Sequence, residues 1–78
     1  MFTVYILRTN KNSLYIGQTN NLEARLKSHK EGKGAKYFRL VDSFDLVHTE
    51  KFKTRSSALK REYELKQLSK SEKAKLIK

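Results

Sequence analysis

Glu62 is an acidic side chain set where a small basic protein gains nothing structural from one. Residues 54–66, TRSSALKREYELK, carry a helical apolar period, and at about 100° per residue Ala58, Leu59 and Leu65 share one face. Glu62 falls between them, flanked by the stem of Lys66, whereas Glu64 points almost the opposite way. A carboxylate on a core-facing stripe is costly unless a cation, a metal ion or hydrogen bonds answer it. A second group lies upstream: Leu22, Leu26 and His29 share a helical face, with Arg25 four residues before His29 at its edge. Two tyrosines, Tyr5 and Tyr15, stand on adjacent β-rich runs. Their hydroxyls leave one face of a hairpin if its register pairs residues whose numbers sum to an even value. The structural reading of these residues is a buried Arg25–Glu62 ion pair beside a satisfied core histidine and two strand tyrosines. The chemical reading is a carboxylate, a guanidinium, an imidazole and two phenols converging in a basic surround, a set suited to acting on an anion.

The totals narrow the partners. The chain has 78 residues, and we expect one domain spanning residues 1–78. A domain this short buries only about 60–65% of its unfolded surface, so its stability margin is thin. It has no cysteine, which excludes disulfides and thiolate metal sites. The opening MFTVYILRTN lacks the basic start and long apolar region of a signal peptide, and no apolar run approaches the ~20 residues of a membrane span. A cytoplasmic protein without membrane attachment is expected. The 18 Lys and Arg against 8 Asp and Glu give a net charge of +10, and such an excess attracts polyanions. The basic residues spread along the chain and are not gathered on one amphipathic segment, so nucleic acid fits better than a lipid surface.

The elements that must position these groups follow from the apolar pattern. Residues 2–7 and 14–19 are β-rich runs separated by the polar cluster Arg8-Thr9-Asn10-Lys11-Asn12-Ser13, which predicts an antiparallel hairpin. Both of its faces carry apolar side chains, so the sheet should be covered on each side. Asn20, with Glu23 three residues on, predicts a capped helix running to about Glu31 and stopping at Gly32. Residues 34–40 read as a loop with a short helical turn, and residues 44–52 as a third strand. Thr54 or Ser56 caps the helix bearing Glu62, and Ser69 with Glu72 predicts a capping box opening a last helix over residues 70–77. The result is an α/β fold of order β-β-α-β-α-α, a small three-stranded antiparallel sheet flanked by helices.

Taken in order, Tyr5-Ile6-Leu7, Tyr15-Ile16-Gly17-Gln18-Thr19, Leu22-Glu23-Ala24-Arg25-Leu26 with His29, and Ala58 with Glu62 and Lys66 resemble the GIY-YIG endonuclease domain, in its small single-domain bacterial form. The resemblance covers essentially the whole chain, including Gly32-Lys33-Gly34-Ala35-Lys36-Tyr37 and the trailing residues 68–73. Each motif alone is weak; five in this order and spacing are specific. The first motif reads Thr3-Val4-Tyr5, without the glycine of the family's name, and no asparagine follows Glu62, where many family nucleases have one.

The resemblance implies metal-dependent hydrolysis of phosphodiester bonds in DNA, in repair, recombination or processing. It assigns Glu62 as ligand of one Mg²⁺ (or Mn²⁺) ion, Tyr5 as acceptor of the proton of the attacking water, and Arg25 as neutraliser of the phosphate. Tyr15 and His29 match positions that orient nucleophile and phosphate. A lone carboxylate leaving several waters on the ion suits Mg²⁺, and a phenol of ordinary pKa near 10 needs nearby positive charge, from Arg25 or Lys36, to act as a base. Gly17, at a strand end, permits a close approach of phosphate or of the first helix, or simply packs. Lys27, Lys30, Lys36 and Arg39 supply a phosphate footprint, and Tyr37 a stacking or packing ring. RNA is a second candidate substrate, and a protein partner could supply targeting. The alternative function is a non-catalytic nucleic-acid-binding module that keeps the fold.

Overall fold

The computed structural model describes residues 1–10, 12–30 and 43–77. Among them the chain runs β1 (Phe2–Thr9), β2 (Leu14–Thr19), α1 (Leu22–Lys30), β3 (Phe44–Phe52), α2 (Arg55–Gln67) and α3 (Lys70–Leu76). The sheet order is β2-β1-β3, antiparallel throughout. β1 is therefore the central strand, which accounts for its unbroken apolar run: Val4, Tyr5, Ile6 and Leu7 are all buried because both faces of that strand are covered.

The two faces hold two cores. Val4, Ile6 and Ile16 pack against Ala58 and Leu65 of α2, with Leu68, Leu76 and Ile77 closing the edge. On the opposite face Tyr5 and Leu7 pack with Tyr15, Leu22, Leu26 and Phe44, under α1. The hairpin register pairs Tyr5 with Gly17 and Leu7 with Tyr15, the even-sum register that sends both tyrosines to the α1 face. The turn closes through Asn12, whose φ of 61° is a left-handed conformation that asparagine tolerates.

β3 contains a feature that periodicity does not show. Ile6 pairs with His48 but Leu7 pairs with Leu46, so Val47 is an extra residue in the ladder. Phe44 and Phe52 are eight residues apart and would share a face of a regular strand. The bulge inverts the alternation, so that Phe44 joins the α1 core while Phe52 joins the α2 core.

The helix caps refine the expected starts. Asn21, not Asn20, caps α1: its Oδ1 accepts from Ala24 N at 3.2 Å, and the Thr19 hydroxyl accepts from Asn21 N at 3.1 Å. The buried Thr19 occupies the turn, which shifts the cap by one residue. Thr54 caps α2 by accepting from Ser57 N, and Ser69 with Glu72 forms the capping box of α3. The proposed ends near Glu31 and Gly32, and the loop over residues 34–40, lie outside the described residues.

α2 is tied to the edge strand by charge as well as by its apolar face. Glu50 pairs with Val4 and so faces α2, where Arg61 donates from Nε to Oε1 at 2.8 Å and from Nη2 to Oε2 at 3.2 Å. His48 Nε2 lies 2.7 Å from Glu50 Oε2. Hydrogen bonds from Arg61, aided by that of His48, outweigh partial burial and hold the Glu50 carboxyl below its usual range. A lowered folded-state pKa contributes stability above the ordinary carboxylate value, and the contribution is lost as pH falls through the folded value. Glu50→Gln should therefore lower the neutral-pH stability by about 1 kcal/mol, a fall in Tm of several degrees. The gap from wild type should close below about pH 4, which thermal unfolding across pH will measure.

Candidate active site

The site starts from the absence of a side chain at Gly17. Directly across the ladder from Tyr5, a Cβ there would stand 2.6 Å from Tyr5 Oη, 2.8 Å from Tyr5 Cζ and 3.3 Å from Tyr15 Cε1. The Tyr5 phenol thus lies over the neighbouring strand in space that any other residue would fill. What approaches Gly17 closely is this ring: Gly17 is buried beneath it, which gives the residue a role in shaping the site.

From that seat Tyr5 Oη reaches His29 Nε2 at 3.1 Å. His29 is 2% exposed, held by edge contacts with Tyr15 and Phe44 at centroid separations of 5.5 and 6.2 Å. The Tyr5 and Tyr15 rings lie 6.3 Å apart. Burial first, and then the Arg25 charge, lower the His29 pKa, so the imidazole is neutral at physiological pH. Tyr5 moves the other way. Burial, then Tyr15, raise its pKa to about 12; Arg25 opposes the rise and Glu62 adds to it. Arg25 does favour the phenolate, as expected, but loss of hydration outweighs the guanidinium, and Tyr5 is a neutral phenol at pH 7.

Glu62 occupies the margin of the α2 apolar stripe. Ala58 and Leu65 are fully buried, while Leu59, expected on the same face, is 43% exposed. The Glu62 side chain is 18% exposed and Lys66 Nζ lies 3.0 Å from its Oε2. The buried Arg25–Glu62 ion pair is not formed: the cation on Glu62 is Lys66, and Arg25 is exposed. Arg25 and Glu62 nonetheless both act electrostatically on Tyr5, so the two helices bring their charges to the same phenol.

Three shallow depressions surround this cluster. Arg25 lines one of about 180 Å³ with Phe2, Gln18, Thr19, Asn20 and Arg55. Glu62 lines another of about 180 Å³ with Leu59, Tyr63 and Lys66. His29 lines a third of about 250 Å³ with Lys30, Ser43 and Phe44. Open depressions of this kind suit a polymer more than an enclosed small molecule. Lys27 and Lys30 are exposed on α1, as a phosphate footprint requires. Lys36, Tyr37 and Arg39 lie outside the described residues. No cluster of three or more His, Cys, Asp and Glu occurs among the described residues. A divalent ion here would hold one protein carboxylate, a donor set that fits hydrated Mg²⁺ and not a zinc cage. Phe44 was missed in the sequence as a wall of the site, because its place depends on the bulge.

Comparison with known proteins places this geometry. The model of the GIY-YIG catalytic domain matches residues 1–75, and the chain belongs to the GIY-YIG family, a membership that implies nuclease chemistry. It is 53% identical over 74 residues to a UPF0213 protein of Oceanobacillus iheyensis, covering 95% of this chain and 86% of that protein. It is 45% identical over 74 residues to a UPF0213 protein of Natronomonas pharaonis, covering 95% and 87%. The solution NMR structure of a UPF0213 protein from Bacillus halodurans superposes with a TM-score of 0.64 at 42% identity, covering 99% of this chain and 83% of that one. No helix among the described residues is long and apolar enough to cross a membrane.

Gly17→Ala tests the seat of Tyr5. The added methyl group meets a buried ring, so Tyr5 must leave His29; we expect a loss of roughly 1–3 kcal/mol in stability. The His29 ring resonances should shift in an NMR spectrum. Wild-type stability and unchanged His29 signals would show that the ring does not need the space.

Proposed function

We propose that the chain is a divalent-metal-dependent endonuclease that hydrolyses phosphodiester bonds in DNA. The observation that carries this reading is the buried hydrogen bond from Tyr5 to a neutral His29, under the fields of Arg25 and Glu62. Binding a polyanion needs exposed Lys and Arg. It does not need a desolvated phenol joined to an imidazole.

The proton path follows from the two opposite pKa shifts. A phenol with a pKa of about 12 supplies almost no phenolate at pH 7. The neutral imidazole, however, can accept at Nε2 while the phenol donates. As water attacks phosphorus, its proton passes to Tyr5 Oη and the phenolic proton passes to His29 Nε2. Tyr5 thus acts as a base without a free phenolate, and His29 ends as imidazolium. Tyr15, tilted against the Tyr5 ring and edge-on to His29, fixes their orientation and keeps water from the back of the pair. The exposed Arg25 offers a fork of donors to the phosphate oxygens, where charge accumulates in the transition state.

Glu62 is the residue that would hold Mg²⁺ or Mn²⁺, and the ion supplies Lewis-acid stabilisation of that same charge. Lys66 already attends one of its oxygens, so the carboxylate stays charge-balanced without the ion. DNA is the substrate we propose, and exposed Lys27 and Lys30 flank the site on α1.

Purified protein should nick DNA with Mg²⁺ or Mn²⁺. Glu62→Gln should abolish cleavage with DNA affinity unchanged, and Tyr5→Phe should slow it by about 10²–10⁴-fold. Gel assays alongside anisotropy will measure both. Cleavage by Glu62→Gln at the wild-type rate would remove the assigned ligand. DNA binding without cleavage under either ion would leave a binding module.

A further inference from the structure

The depression beside Arg25 holds a second arginine that hydrolysis does not explain. It forms where the end of β2 meets the first turns of α1 and α2, and two of its six lining residues are arginines, Arg25 and Arg55. Both are exposed, and neither has a carboxylate partner among the described residues.

Arg55 is also badly placed for stability. It is the first residue of α2, whose first turn contains no acidic residue. The positive end of a helix dipole disfavours a cation there. Thr54 already satisfies the cap, so the guanidinium does nothing for the helix start. Its position is explained if an anion sits between it and the backbone.

A third observation comes from the strand. Gln18 Oε1 is buried without a hydrogen-bond partner among the described residues, and Gln18 is one of the residues lining this depression. A buried acceptor without a donor is costly, and the donor-rich groups sharing its depression are the two guanidinium forks. An arginine drawn inward by a bound anion would complete that bond, and the bond would in turn hold the fork in position.

We propose that this depression is a second phosphate subsite, holding the phosphodiester adjacent to the cleaved one on the same strand. Arg55 is its principal ligand and Gln18 a positioning residue. The proposal rests on the nuclease reading for the identity of the polymer. Arg25 acts on Tyr5 and also lines the depression, so it links the reacting group to the neighbouring phosphate. Engagement of Arg55 would then set which bond of the strand lies over Tyr5. At about 180 Å³ the depression has the room of roughly six waters. That admits a phosphate group.

The test measures binding without a divalent ion, so that no cleavage intervenes. A short fluorescein-labelled DNA duplex and its single strand are titrated against wild type, Arg55→Ala and Arg55→Lys across salt concentrations. Arg55→Ala should bind at least about tenfold more weakly, with the log–log salt slope shallower by about one. Arg55→Lys should keep the slope but recover only part of the affinity, because the fork is lost and the charge is kept. Single methylphosphonate linkages, which are neutral, then locate the contact. One position next to the cut should weaken wild-type binding and have no further effect in Arg55→Ala. An unchanged slope in Arg55→Ala, or an equal methylphosphonate penalty in both proteins, overturns the subsite. The two readings separate: a slope lost with no Mg²⁺-dependent cleavage by wild type keeps the subsite and rejects hydrolysis. Cleavage with an unchanged slope does the reverse.

Discussion

The Tyr5 ring lies across a neighbouring strand at the one ladder position that has no side chain to stop it, and its hydroxyl ends on a buried imidazole. Much of the structure serves that contact. The hairpin register puts Gly17 opposite Tyr5 and carries Tyr15 to the same face. The Asn21 cap and the Leu22 and Leu26 contacts hold α1 so that His29, two turns on, faces inward. The bulge at Val47 turns Phe44 onto the far side of the imidazole. A polar pair desolvated to this degree is costly unless its bond is made, so the same packing that hides Tyr5 from water commits it to His29.

That desolvation also sets the chemistry. In water a tyrosine beside an arginine would lean towards the phenolate. Here burial dominates, and the pair is two neutral groups sharing one hydrogen bond. Such a pair stores no charge before substrate arrives and moves a proton along an existing bond when it does. The carboxylates fit the same economy: Glu50 is held by Arg61 and Glu62 by Lys66, while Arg25 and Arg55 carry no carboxylate among the described residues. On a chain of net charge +10, two of the described guanidiniums without a carboxylate, Arg25 and Arg55, line the proposed phosphate path.

The fold was largely legible because its signals are local and strong. Apolar side chains on both faces of the hairpin marked a sheet covered on each side, the Ser69–Glu72 spacing marked the α3 start, and residue parity gave the even-sum condition that the tyrosine register meets. The helical wheel placed Glu62 near the core but took Leu59 with it, because periodicity cannot locate the rim of a stripe whose other side faces open solvent. The Val47 bulge escaped notice, since one inserted residue leaves composition and propensity unchanged while inverting which face Phe44 joins. Sequence also named Arg25 or Lys36 as the tuner of Tyr5 without weighing burial, a quantity that exists only once the chain is packed. Arg55 passed as one basic residue among many, because its meaning depends on which helix end it occupies.

A direct measurement of the protonation states settles the matter. In protein labelled at tyrosine Cζ and the histidine rings, NMR titration should find Tyr5 still a neutral phenol through pH 10, its ordinary value, and His29 neutral at pH 7 with its midpoint below 6.5. Tyr5 ionising below 10, or His29 still charged at neutral pH, would contradict the shared-proton account and leave Tyr5 to act as a free phenolate.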